Sequence, residues 1–222
     1  MNWGWQYVWD YRLWFIRGFG YTILFTSVGV FFGTIIGLFL GLGQISQNKL
    51  ARGFSKAYVD LFRGTPLMVQ ILIIHFGLLP PLFHLFGYQS TTPLISGFVA
   101  LSLNSGAYVA EIFRAGILSI DKGQMEAARS LGLTRAQAMR FIILPQAFKR
   151  MIPPLGNEFI ALLKDSSLLI VIAAQELTYA GQMTSKNTFA YLGPYFTVAA
   201  GYLMLTLIFS RGVSYLERKF SK

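Results

Sequence analysis

The chain has 222 residues, 54% hydrophobic, 16% aromatic and only 13% charged. Soluble domains carry about 25% charged residues, so this composition excludes an ordinary water-surrounded globule and indicates an integral membrane protein. A net charge of +10 would point to nucleic acid on a soluble chain, but on a membrane protein it reads as the cytoplasmic excess of Lys and Arg.

Residues 1–17 hold four tryptophans (Trp3, Trp5, Trp9, Trp14) among scattered charges. They lack the basic start and small-residue cleavage site of a secretory signal. Trp and Tyr prefer the headgroup level, so an interfacial segment is predicted. Residues 19–43 form a first, uncharged span in which Gly29, Gly33, Gly37 and Gly41 recur every fourth position, a spacing that lets another helix approach closely. Residues 44–63 set Lys49, Arg52, Lys56 and Arg63 against Asp60 alone and read as a cytoplasmic loop. A second span follows at 66–86, where Pro80-Pro81 end or kink the helix. Residues 87–92 carry no charge and form an external connection. The third span, 93–118, contains Glu111 and Arg114, which at i, i+3 read as a structural pair. The fourth, 152–174, is the most polar. Residues 175–193 lie outside, with room for a short surface helix, and the fifth span is 194–216.

Charge asymmetry orients these spans. Of nineteen Lys and Arg, Arg12, Arg17 and Lys186 fall outside and Lys164 within a span, leaving fifteen on the cytoplasmic side. The N-terminus is therefore expected outside and the C-terminus inside.

The cytoplasmic loop 121–150 has its own grammar. Residues 124–131 favour helix, with Glu126 read near its N-terminal end, where the macrodipole favours a carboxylate. Gly132 follows at a left-handed C-terminal position. Thr134 and Gln137 fit a capping box, and Pro145 marks the end of the second helical pattern. Such an elbow superficially matches a helix-turn-helix with Arg129, Arg135 and Arg140 for phosphates. Membrane spans on both sides and the lack of a separate soluble core exclude that reading, and no nucleic-acid partner is expected.

The chain lacks cysteine and has only His75 and His84, so neither a disulfide framework nor a zinc site is expected. It also lacks the G-x-x-x-x-G-K-[ST] phosphate loop, so no ATP hydrolysis is expected from it. Polar groups inside spans are costly and mark function by default. Asn104, Ser105 and Tyr108 on the third span, with Glu158, Asp165 and Ser166 on the fourth, are the candidate substrate path. Asn104 and Asp165 fall near mid-membrane, where transporters often hold substrate. Donors such as Asn, Ser or Lys suit a carboxylate, and Glu or Asp suits an ammonium. The competing reading of these residues is inter-helix glue, and it is the favoured one for Gln70 and His75.

The pattern Glu126-Ala127-Ala128, Gly132, Ile142, Leu144 and Pro145 resembles the cytoplasmic loop of ATP-binding-cassette (ABC) importer permeases. The stretches RGTPLMVQ (63–70), NSGAYVAEIFRAGI (104–117) and GNEFIALLKDSSL (156–168) resemble the polar amino acid branch of that family. The resemblance covers residues 18–222. It implies an all-α membrane protein with five transmembrane helices of the type I ABC importer permease kind. In it Glu126, Ala127, Ala128, Arg129, Gly132 and Arg135 form a coupling helix docking on a cytoplasmic ATPase dimer. No cofactor is implied in this chain; ATP-Mg belongs to the partner ATPase. The other implied partners are a second permease, identical or not, an extracytoplasmic amino-acid-binding protein, a polar amino acid and the lipid bilayer. The implied location is the bacterial inner membrane, multi-pass. A stand-alone ion-coupled carrier or channel, with Glu158 or Asp165 as coupling site, is the alternative.

Overall fold

The computed structural model describes residues 3–87 and 91–220, which are helical without a strand among them. Met1 and Asn2 of the interfacial segment, residues 88–90 of the external connection, and Lys222 of the charge tally lie outside the described residues. The helices are α1 (Trp5–Asp10), α2 (Arg12–Gln44), α3 (Lys49–Gly64), α4 (Leu67–Leu85), α5 (Pro93–Leu118), α6 (Lys122–Ser130), α7 (Arg135–Ala138), α8 (Leu144–Asp165), α9 (Leu177–Thr188) and α10 (Leu192–Phe220). By length and apolarity α2, α4, α5 and α10 are candidate membrane spans. The fourth expected span differs. It starts earlier, at Leu144, and tightens to a 3-10 helix over Ser166–Ile172. Lys149, Arg150, Glu158, Lys164 and Asp165 make α8 too polar to stand out on composition.

The glycine row sets the central packing. Gly29 faces Leu101, Gly33 faces Ser105, Gly37 faces Val109 and Gly41 faces Phe113, so α2 and α5 run parallel and step together one turn at a time. A Cβ added at Gly37 would lie 2.6 Å from the Val109 Cβ. Without a hydrophobic drive between helices in lipid, close van der Waals approach is what joins them. Phe25, Leu101, Ile71, Leu162 and Leu169 extend this contact into the main core.

The 44–63 loop is a helix. Asn48 caps α3 by accepting from Leu50 N at 2.9 Å, which satisfies a backbone donor that the first turn leaves free. Val59, Tyr58 and Phe62 then pack with Leu40, Ala107 and Ala110.

Both proline sites sit inside helices, not at their ends. Pro80-Pro81 follow a π-helical turn, Ile73–Leu78, and Pro145 follows another, Met139–Ile143. In each, the last amide before the proline bonds five residues back: Leu79 N to Ile74 O, Leu144 N to Met139 O. A proline supplies no N–H and crowds the preceding turn. Widening that turn relieves the crowding and lets the helix continue.

The expected external helix is α9, yet it is no surface element: Leu177, Ala180, Thr184 and Ser185 are buried. Its cap is Glu176, fully buried, accepting from Thr178 N and Tyr179 N at 2.8 Å each and from the Tyr202 hydroxyl at 2.6 Å. Burial pushes the Glu176 carboxyl above its ordinary range, and the hydrogen bond from Tyr202 leads the opposing influences.

Gly37→Leu is expected to destabilise the α2–α5 contact by about 1–3 kcal/mol, the cost of overpacking, read as a lower midpoint of thermal unfolding in detergent. An unchanged midpoint would show that the two helices do not depend on this approach. Glu176 supplies a pH test. Its folded-state pKa is raised, so the stability linked to it is full below the ordinary carboxylate range and falls as pH rises through the raised value. Glu176→Gln should flatten that slope, measured as melting temperature against pH.

Candidate functional site

Two clusters hold the residues singled out by sequence. The first is a polar band across α3, α4, α5 and α8. Buried Asn104 donates from Nδ2 to Gln70 Oε1 at 2.9 Å, and Gln70 Nε2 in turn donates to Phe62 O and Thr65 O at 2.8 and 3.0 Å. Gln70 is thus the hub that fixes Asn104, while closing the break between α3 and α4. His75, on the same helix, pairs its Nδ1 with Ser96 Oγ at 2.7 Å. For both, the inter-helix role favoured from sequence is the one the geometry displays.

Ser105, one residue on, is fully buried against α2. Its hydroxyl lies toward Glu158 of α8 but outside hydrogen-bond geometry, so it has no partner. Glu158 is half-buried and within electrostatic reach of Arg63 and Asp165. Arg63 stacks over the Tyr108 ring at 5.4 Å and meets Glu111 Oε2 at 4.0 Å. Glu111 is also bonded by Arg114, whose Nε lies 2.9 Å from Oε2, so the expected i, i+3 pair forms and gains a third member. The structure therefore brings Tyr108 and Glu158, both partly exposed, around Arg63, with Ser105 buried beside Glu158. Asn104 stands behind them, occupied by Gln70. Asp165 and Lys164 are exposed at the C-terminal end of α8, and Ser166 is buried, donating to Leu163 O at 2.7 Å.

The second cluster is the elbow. The caps form as the spacing predicts: Thr134 Oγ1 accepts from Gln137 N at 3.2 Å, and Gln137 Oε1 accepts from Thr134 N at 2.8 Å. Gly132 has φ 87°, a left-handed value, and a Cβ there would meet nothing within 4 Å. Backbone conformation, not space, is what calls for glycine. Glu126 differs from its expected place. The helix begins at Lys122, so Asp121 is the acidic cap, accepting from Gly123 N at 2.7 Å, and Glu126 lies mid-helix. The alanines divide: Ala128 is buried within the chain, whereas Glu126, Ala127, Arg129 and Arg135 are exposed. Arg129 Nη1 reaches Leu133 O at 3.2 Å and closes the turn. Two ties hold the base of the elbow to the spans: Arg150 Nη1 donates to Ser119, and Gln146 Nε2 to Gln124 Oε1 at 3.4 Å.

Two partners escaped the sequence reading. Arg63 reads as part of a basic loop and as the start of the RGTPLMVQ stretch, because nothing local shows that α3 folds back to α5. The Glu176–Tyr202 bond was invisible for a similar reason: twenty-six positions separate its members. Among the described residues no group of His, Cys, Asp and Glu could hold a metal.

Comparison with known proteins sets these clusters in a family. Residues 33–222 match the family described as binding-protein-dependent transport system inner membrane component. The chain is 40% identical over 208 residues to the probable glutamine ABC transporter permease protein GlnM of Bacillus subtilis, covering 94% of each chain. It is 38% identical over 219 residues to the glutamine transport system permease protein GlnP of Escherichia coli, covering 99% of this chain and 98% of that one. The crystal structure of an amino acid ABC transporter with histidines matches at a TM-score of 0.87 and 43% identity, over 95% of both chains. An inward-facing form of the MetNI methionine ABC transporter, at 23% identity and a TM-score of 0.79, shares the fold over 95% of this chain and 97% of that one. The all-helical architecture is that of type I ABC importer permeases. With the family matched over most of its length and relatives spanning nearly all of it, the chain belongs to the binding-protein-dependent transport system inner membrane components.

Proposed function

We propose that this chain forms half of the membrane pathway of an ATP-driven importer, passing polar amino acids delivered by an extracytoplasmic binding protein through alternating access. The single observation that carries the coupling role is the elbow. It is closed by its own caps and tied at its base to α5 and α8, yet it presents Glu126, Ala127, Arg129 and Arg135 outward. A rigid, charged knob of this kind suits docking on a separate ATPase dimer that binds ATP-Mg. A second permease, identical or sister, completes the pathway. The excess of Lys and Arg on one side supports an N-terminus outside and a C-terminus in the cytoplasm.

The substrate class rests on two supports. The relatives described above are named for glutamine. Within this chain, Ser105, Tyr108 and Glu158 converge beside Arg63, with Asp165 at the end of α8. Arg63 is placed to meet an α-carboxylate, and Glu158 or Asp165 an ammonium or a cationic side chain. Both features fit a zwitterion.

The deciding experiment is purification in mild detergent with any bound ATPase, then reconstitution into vesicles with candidate binding proteins. ATP hydrolysis and uptake of glutamine or arginine only with a loaded binding protein are expected. Uptake driven by an ion gradient without ATP would instead favour the stand-alone carrier. Within that system, Gly132→Val forces a β-branched residue into left-handed backbone at a cost of about 1–2 kcal/mol. It should cut ATP-coupled uptake several-fold while leaving membrane insertion intact; full uptake would remove the elbow from the mechanism. Glu158→Gln should lower uptake at unchanged assembly. If assembly fails while transport per assembled complex stays normal, Glu158 is inter-helix glue.

A further inference from the structure

Outside these clusters, α3 shows a face that the function so far does not use. Leu50, Phe54 and Leu61 are 84%, 70% and 60% exposed. They lie within about 40° of one another on a helical projection, forming one stripe. About 100–180° round the helix from this stripe Lys49, Arg52 and Lys56 are exposed, with exposed Asp60 one turn beyond Lys56, and none of the three cations has an ion-pair partner among the described residues. The depth of the helix is fixed by its neighbours. Its N-terminal half meets Gly43 at the end of α2 through Ser55. Its C-terminal half packs on Ala107 and Ala110, about 12 Å before the end of α5 at 1.5 Å per residue. The helix therefore slopes from the membrane surface into the cytoplasmic half of the bilayer.

The stripe leads into a groove. A cavity of 190 Å³ lies where α3 gives way to α4, lined by Leu61, Thr65, Val69, Ile73, Leu78 and Leu103 among others, and its surface is almost wholly apolar. Val69, Ile73 and Leu78 are 44%, 53% and 61% exposed, so the groove opens sideways.

We propose that this face is a binding site for an anionic phospholipid of the cytoplasmic leaflet. Its headgroup sits among Lys49, Arg52 and Lys56, and one acyl chain follows Leu50, Phe54 and Leu61 into the groove. Unpaired cations at headgroup depth complement a phosphate and an anionic headgroup, and long Lys and Arg stems let the charges reach that level. The slope of α3 sinks Leu61 and the groove below the reach of a soluble ATPase. The site is independent of which amino acid the chain carries.

The test uses the intact transporter in detergent, incubated with equal phosphatidylglycerol and phosphatidylcholine and read by native mass spectrometry. The wild-type protein should retain phosphatidylglycerol in excess. Each basic residue near an anionic surface strengthens association by about fivefold, so K49Q/R52Q/K56Q should reduce that excess at least about tenfold. R211Q/R218Q, removing two other cytoplasmic charges, should leave most of it in place. Val69→Trp, which fills the groove without touching the charges, should weaken retention of long-chain phosphatidylglycerol more than that of short-chain forms. Equal retention of both lipids by wild type, or equal losses in the two charge variants, overturns the proposal. So does a triple variant that keeps its lipid but sheds another protein chain, which would make this face a protein interface.

Discussion

The structure depends on how closely α2 and α5 approach. In lipid, helices gain nothing from hiding apolar side chains from water, because the tails are as apolar as leucine. Attraction must come from contact density, and four glycines at a four-residue spacing supply it between Gly29 and Gly41 of α2. The same approach has a consequence for polarity. It buries Ser105 against Gly33 and turns the rest of the α5 face toward α4 and α8. Asn104 then meets Gln70, and Ser105 lies near Glu158. The polar band exists because the glycine row fixes which way α5 faces.

A second constraint is that backbone groups in the bilayer core find no water. A proline inside a span would leave a carbonyl stranded. Here Pro80 is preceded by a π turn whose last amide bonds five residues back, so the helix continues past it, and Pro145, in the loop before the expected fourth span, is preceded by a second such turn. The break between α3 and α4 is handled differently, by a side chain. Gln70 takes Phe62 O and Thr65 O, the carbonyls that the end of α3 leaves over. One residue thereby ends a helix, starts the next span and positions Asn104.

Much of this was legible from short-range pattern. The glycine spacing, the Thr134–Gln137 capping box, the left-handed Gly132 and the Glu111–Arg114 pair all involve residues within one or two turns, where geometry follows from sequence separation alone. What was not legible involves distance along the chain or a competition between local signals. Arg63 pairs with Glu111 only because α3 folds back at the membrane surface. Glu176 gives a weak cap signal by residue type, and its bond to Tyr202 depends on how α9 packs against α10. Pro145 reads as a helix end under the usual rule, and the π turn that absorbs it leaves no composition mark. Ala128 and Ala127 are alike in sequence and opposite in burial, since one helix face meets the chain and the other does not.

The two clusters are joined by covalent and hydrogen-bonded paths that favour motion as a unit. The elbow leaves α5 at Ser119 and returns through the π turn Met139–Ile143 to α8, which carries Glu158 and Asp165. Arg150 bonding back to Ser119 closes this loop at its base, so force on the exposed arginines meets a closed ring instead of a flexible hinge. The irregular places are the π turn within the ring and the 3-10 stretch Ser166–Ile172 at the far end of α8, which ends in a left-handed residue, Ala173. Beyond that ring, α5 and α8 come together again where the Ser105 hydroxyl, without a hydrogen-bond partner, stands near Glu158.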